Sequence, residues 1–398
     1  MNVRKHLTTL AMISLFGLTA CGSDLFPAET NPMTTVDPIT DMGVSIQSVY
    51  GTITWWTIGI ALVVGAMYAY VLVAFRDKGQ TEQPKQIHGN PALEIGWTLA
   101  PVVIVILILV PTVRTIFVLG DAAPDDKVEV KVIGKRWWWE FRYVPDGDMI
   151  KEELVTANQI HIPANKSASF LITSDSVIHS FWVPRLGGKR DAVPGRTNRL
   201  WFTMLPDCAT VEGGVEGQDC TSMQPKDGEP LHFMGECVEF CGESHAQMKF
   251  DVFVDTEKDF RAWVDGMQAP KEASDAQAKA GKELFGELGC GGCHAVTGND
   301  RARGILGPNL TNFGERARIG AGIVENTPEN LKAWISNPDG IKPGATMRTN
   351  ISRGPKGAND GMNVPVVAGL SDDSDGDGYP NFSDDQLDKL VAYLHSLK

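Results

Sequence analysis

Apolar and polar residues follow four patterns along this chain. The first is a short apolar run, Leu10–Leu18, preceded by Arg4 and Lys5. It is too short to cross a membrane and has the character of a signal-peptide core. The second is a pair of long runs. Ile53–Phe75 carries no charge and would extend roughly 34 Å as a helix, enough for the hydrocarbon core. A further span from about Trp97 to Leu119 holds Pro101 and Pro111, where kinks are expected, and Arg114 near its outer end. Trp55 and Trp56 stand where indole favours the interface, and Arg76, Lys78 and Lys85 place the connecting loop in the cytoplasm. The third pattern is alternation, as in Val128-Glu129-Val130-Lys131-Val132 and Ser169-Phe170-Leu171-Ile172-Thr173, which predicts a β-rich unit over Lys127–Asp255. Clusters such as Val193-Pro194-Gly195 mark its turns. The fourth begins beyond Met267, where a Pro/Ala/Ser linker turns into helix, and Leu387, Leu390, Val391 and Leu394 give a closing helix over Asp384–Leu397.

The expected organisation is multidomain. A signal peptide covers residues 1–20, an extended Pro/Thr/Asp tether 21–48, a two-helix transmembrane hairpin 49–121, an all-β sandwich 122–268 and an all-α domain 269–398. Both folded units then lie outside the cell membrane. With 398 residues and a formal net charge of −13, nucleic acid is an improbable partner and a cationic protein a suitable one. The seven cysteines divide without remainder: Cys21, Cys208 with Cys220, Cys237 with Cys241, and Cys290 with Cys293. Cys208 and Cys220 bracket a Gly-rich stretch and most simply form a disulfide, which suits an oxidising compartment. The chain-entropy relation credits a loop of this length with about 3 kcal/mol. Leu18-Thr19-Ala20-Cys21 resembles the lipobox of bacterial lipoproteins, in which the cysteine carries lipid; the alternative is a simple signal peptide.

Chemistry changes the picture most between Gly235 and Met248, where Cys237, Cys241, His245 and Met248 crowd into one segment. Thiolate, imidazole and thioether together select a soft or borderline metal, copper above all, whereas zinc would leave the methionine without a purpose. His179, in Asp-Ser-Val-Ile-His-Ser-Phe-Trp-Val-Pro, is placed to add a nitrogen ligand. This spacing and its partner resemble the binuclear copper site (CuA) of subunit II of haem–copper cytochrome c oxidases. The resemblance implies a cupredoxin-like sandwich in which Cys237 and Cys241 bridge two coppers. His179 and Met248 complete one, and His245 with the Glu239 carbonyl the other. It also implies a magnesium or manganese ion shared with subunit I through the Glu239 side chain, a hard ligand suited to such an ion. Asp191 would face the same subunit. Trp137, first of the run Trp137-Trp138-Trp139, would accept electrons, while Trp138 and Trp139 suit packing. Glu94, in Glu94-Ile95-Gly96-Trp97-Thr98, has two readings: a charge favoured at a helix N-terminus, or a group at the mouth of a proton pathway. His88, His161 and His232 have the character of ordinary polar residues.

Cys290-Gly291-Gly292-Cys293-His294 is the c-type haem attachment signature, with two thiols for the vinyl groups and an axial histidine. A zinc knuckle would need a second Cys/His pair. The segment resembles class I cytochromes c, which implies a methionine as sixth ligand. Met347 in Lys342-Pro343-Gly344-Ala345-Thr346-Met347 fits, although Arg348 replaces the usual proline, and Met362 is the alternative. Gly307-Pro308-Asn309-Leu310 is similarly cytochrome-like. Asp373, Asp375, Asp377 and Tyr379, with Asp384 at the twelfth place, form either half a calcium loop or a solvated acidic turn.

Together these segments resemble a subunit II of caa3-type oxidases with a fused cytochrome c domain. The resemblance implies a membrane-bound oxidoreductase complex. A covalent haem c passes electrons to CuA and on to a separate catalytic subunit that reduces oxygen to water and pumps protons. Cytochrome c or a bc-type complex would be the donor, and other oxidase subunits and membrane lipid the further partners. The competing expectations are an anchored haem and copper electron carrier and a nitrous-oxide-reductase-like protein; the copper ligands exclude a quinol oxidase subunit.

Overall fold

The structure is a computed structural model that describes residues 33–79, 86, 88–204, 224–345, 347 and 382–398. Cys21, Cys208, Cys220, Met362, Asp373, Asp375, Asp377 and Tyr379 lie outside the described residues.

Two long apolar helices come first, α1 (Asp41–Ala74) and α2 (Pro91–Gly120), packed side by side. Both are long and apolar enough to cross a membrane. The first begins well before the apolar run, inside the segment expected to be a tether. Thr40 caps it by accepting from the Gly43 amide, and Asp41 supplies an acid to the first turn. This extra length reaches the β domain: Ile39 and Met42 are buried in its core, and the Thr203 amide donates to Asp41 (2.9 Å). Arg185 pairs with Asp37 (2.7 Å), and the Trp201 indole donates to the Asp121 carbonyl beyond α2 (2.8 Å). The feet of both helices are thereby tied to the folded domain. Pro91 at the start of α2 follows the Asn90 cap. The reciprocal bond, from the Asn90 amide to Glu94 Oε1, measures 3.2 Å.

The β domain is a sandwich of two five-stranded sheets. The strands in chain order are β1 (Lys127–Lys135), β2 (Trp138–Tyr143), β3 (Leu154–Ala157), β4 (Gln159–Pro163), β5 (Ser167–Ser174), β6 (His179–Trp182), β7 (Arg190–Ala192), β8 (Asn198–Thr203), β9 (Leu231–Cys237) and β10 (Lys249–Asp255). One sheet has the order β3-β2-β1-β5-β8 and the other β4-β10-β9-β6-β7. Alternation sends Val128, Val130 and Val132 inward from β1 and Phe250, Val252 and Val254 from β10. Between the sheets, Trp139, Phe141, Phe181 and Phe250 form one aromatic cluster, with Phe181 and Phe250 stacked at 4.8 Å. Helix α3 (Glu257–Gln268), capped by Thr256, closes the domain by burying Phe260, Val264 and Met267 at helical spacing.

The C-terminal domain is helical. Helix α4 (Ala276–Glu287), capped by Asp275, crosses the terminal helix, with Phe285 edge-on to Tyr393 at 5.5 Å. Between them come α5 (Pro328–Ser336), a short α6 (Pro338–Ile341) and a two-strand ribbon of β11 (Arg318–Ile319) and β12 (Val324–Glu325). The terminal helix α7 (Asp384–Ser396) opens with a capping box, Ser383 with Gln386, and buries Leu387, Leu390, Val391 and Leu394.

Candidate copper and haem centres

The donors of the first site come from one sheet. His179 opens β6, Cys237 ends β9 and Met248 immediately precedes β10, three adjacent strands whose hydrogen bonds fix the donors' separations. Cys241 and His245 lie on the connection between β9 and β10, with His245 starting a single 3-10 turn. Cys237 Sγ lies 3.8 Å from His179 Nδ1 and 3.8 Å from Cys241 Sγ, and Cys241 Sγ lies 3.6 Å from His245 Nδ1 and 3.9 Å from Met248 Sδ. The Glu239 carbonyl is 3.2 Å from Cys237 Sγ. The two sulfurs are far outside disulfide range, so both are free to ligate. One donor atom each from His179, Cys237 and Cys241 fit within 4.8 Å of one another.

Sterics and electrostatics agree with a metal centre. A side chain at Gly134 would put its Cβ 2.7 Å from the His179 ring, so glycine there makes room for the imidazole. His179 is fully buried, and its Nε2 has no hydrogen-bond partner among the described residues. The Cys237 thiol is pulled well below its ordinary value, chiefly by its hydrogen bond with Cys241 and secondarily by His179, against the effect of burial. Cys241 is correspondingly pushed up, because a second thiolate beside the first is opposed. Metal charge would remove that opposition. Soft sulfur donors with imidazole fit copper. Glu239 and Phe240 are exposed beside the site, Phe240 at 76%. Asp191 is exposed on β7 and paired with Ser180 of β6. Glu94 sits at the opposite end of the molecule's hairpin, in the first turn of α2.

The second site is a cavity of about 230 Å³ whose wall includes Cys290, Cys293, His294 and Met347 among apolar residues such as Phe285, Leu310, Leu331 and Leu390. Cys290, Gly291 and Gly292 form a 3-10 turn after α4, which brings both cysteines and His294 to one side. His294 Nδ1 is bound to the Pro308 carbonyl (2.8 Å), which orients the ring and leaves Nε2 as a ligand. Gly307 lets that ring lie close, since a Cβ there would sit 2.6 Å from it. Burial lowers the basicity of His294, which favours the neutral, ligating form. Two thiols, an oriented imidazole and a thioether around an apolar cavity fit a c-type haem. Asp384 heads α7 and pairs with Lys332 (3.1 Å).

The two sites face each other. Trp137 lines the haem-side cavity while its indole N–H donates to the Cys241 carbonyl (2.8 Å). Trp138 is half-buried, and Trp139 is fully buried in the core. The contact between domains also holds pairs that local motifs do not mark. Asp251 pairs with His232 (2.7 Å) and with Arg318 of the helical domain. Gln159 receives the Ala317 amide (3.2 Å) and contacts His161, which pairs with Asp255 (2.8 Å) and stacks on Trp263 and Phe253. His161 is thus a structural member of a buried network, and His232 is an exposed residue paired with the buried Asp251. Nothing near them in the chain announces this, because their partners are distant in sequence.

Comparison with known proteins decides the family. Residues 41–115 match the transmembrane domain of cytochrome c oxidase subunit II, residues 128–221 its periplasmic domain and residues 278–398 cytochrome c. Cytochrome c oxidase subunit 2 of Alkalihalophilus pseudofirmus is 36% identical over 98% of this chain and 96% of its own length. The chain belongs to the cytochrome c oxidase subunit II family. The same-named protein of Bacillus subtilis is 32% identical over 83% of this chain and 82% of its own. Among solved structures, the periplasmic domain of subunit II of cytochrome oxidase of Bradyrhizobium japonicum is 28% identical. It covers 37% of this chain and 96% of that one with a TM-score of 0.28. Membership makes this an oxidoreductase subunit in a membrane, with a periplasmic domain that implies copper and a cytochrome c domain that implies haem.

Proposed function

We propose that the chain is the electron-input subunit of a proton-pumping cytochrome c oxidase of the caa3 type. His179, Cys237, Cys241, His245, Met248 and the Glu239 carbonyl would hold a binuclear copper centre, and Cys290, Cys293, His294 and Met347 a covalent haem c. When bound, these groups supply one-electron couples, so electrons would enter on the haem side, cross by way of Trp137 and leave toward a catalytic subunit that reduces oxygen. The single observation that carries the reading is the position of Trp137, which borders the haem cavity and bonds the copper loop.

The protein's own residues do the positioning. The Trp137 indole holds the Cys241 carbonyl, the Pro308 carbonyl aims His294, and three strand ends hold His179, Cys237 and Met248. Little rearrangement is then needed between oxidation states. Exposed Glu239, Phe240 and Asp191 would meet subunit I, with Glu239 contributing to a magnesium or manganese ion. Glu94 would stand at a proton pathway on the cytoplasmic side, and a lipid on Cys21 would add an anchor at the outer face of a bacterial cell membrane. Calcium at Asp373, Asp375, Asp377, Tyr379 and Asp384 is the remaining cofactor proposal.

The test is to purify the complex from membranes, measure copper, haem and co-eluting subunits, and follow reduction by stopped flow. Haem reduced before copper, with an oxygen-reducing subunit present, is the expected result. A chain that elutes alone, as an anchored carrier would, sinks the reading.

A further inference from the structure

Lys342 is a lysine at only 4% exposure, caught between the two domains. Its Nζ donates to three backbone carbonyls: Trp137, Gln247 (2.9 Å) and Gly320 (3.1 Å). The first belongs to the tryptophan between the sites, the second precedes the copper ligand Met248, and the third lies in the ribbon of the haem domain. An ammonium has three donors, and here all three are used, one on each segment. The residues that follow continue the contact. The Pro343 carbonyl accepts from Ser244 of the copper loop, and a side chain at Gly344 would strike the Trp137 ring at 2.7 Å. A few residues further on, Met347 lies on the haem cavity.

We propose that Lys342 is a positioning residue that docks the haem domain onto the copper loop by clamping Trp137, Gln247 and Gly320 to one cation. Neither domain needs such a group for its own core. A buried ammonium is costly unless hydrogen-bonded, and this one finds two of its three bonds only when the two domains meet. Two of its three acceptors belong to the copper domain, so separation would strip most of its partners while exposing it to water. Burial pulls the amine down to about 7, against the opposing effect of the nearby Cys241 sulfur. The clamp rests on the proposed electron route only for its functional consequence; the docking itself is a statement about backbone and side-chain contacts.

Two amides report on docking alone: Ala317, which donates to Gln159, and Lys249, which donates to the Ala321 carbonyl (2.9 Å). In the purified full-length complex, Lys342→Met is expected to speed hydrogen exchange at both amides by roughly tenfold while the amides of α4 and α7 stay protected. Haem-to-copper electron transfer after flash reduction should slow by roughly tenfold or more, since small misplacements of reacting groups are costly. Native exchange at Ala317 and Lys249 in the variant overturns the proposal. Accelerated exchange throughout α4 and α7 also overturns it, because Lys342 would then merely support the haem domain. If Lys342→Met does not assemble with haem and copper, Lys342→Gln is measured in its place, and the same exchange patterns support or overturn the clamp. Exchange rising as expected in a protein whose native form transfers no electrons from haem to copper would sink the electron route and leave the clamp standing.

Discussion

The copper domain and the haem domain hold comparable donor sets in opposite ways. In the sandwich the donors lie at the ends of β6 and β9 and beside β10, above a core filled by Trp139, Phe141, Phe181 and Phe250. The core is complete from protein atoms alone, and the metal would sit at its rim. In the helical domain the donors line a cavity that opens into the core itself, since Phe285, Leu310, Leu331 and Leu390 belong to the buried cluster and also wall the cavity. There the cofactor would itself be core. One domain builds its site at the rim of its core; the other has a cavity let into its core, which a ligand would fill.

The largest expected effect follows from that contrast. Cys290→Ala with Cys293→Ala removes covalent attachment, and the helical domain should lose its own cooperative thermal transition, read by calorimetry and by far-UV circular dichroism. The sandwich transition should persist. A helical domain that melts normally without haem breaks the comparison. Phe250→Ala strikes the sandwich core instead and is expected to destabilise the sandwich by about 3–5 kcal/mol in denaturant titrations, with the haem spectrum unchanged. Gly134→Ala crowds His179 without touching a donor. It should cost about 1–3 kcal/mol and shift the copper absorption bands, again leaving haem unaffected. Chelating the copper should move the sandwich melting temperature much less than haem loss moves its neighbour; equal shifts would mean the copper donors are not preorganised. At the small end, Thr256→Ala removes the cap of α3 and should cost about 1 kcal/mol without altering either spectrum.

Local spacing made both sites legible. A thiol pair four residues apart followed by His245 and Met248 needs no fold to be read as soft-metal chemistry, because one loop carries most of the donors. The same holds for Cys290-Gly291-Gly292-Cys293-His294 and for the two apolar spans. The beginning of α1 was less legible, since the residues from Asp41 to Gln47 look like polar tether until the sandwich supplies partners for Ile39, Asp41 and Met42. The pairs Asp251–Arg318 and His161–Asp255 were not legible at all, because each joins residues separated by tens of positions.

The chain by itself determined which chemistry is present: the donor types, their grouping into two centres, the membrane hairpin and the β-then-α order, all set by short-range spacing and periodicity. Only the tertiary structure decided how the centres meet. Trp137 lines the cavity of the helical domain and bonds the Cys241 carbonyl because β1 and β2 turn there, and Lys342 gains three carbonyl partners because two separate domains close around it. Those contacts depend on where distant backbone segments come to rest, which no local pattern encodes.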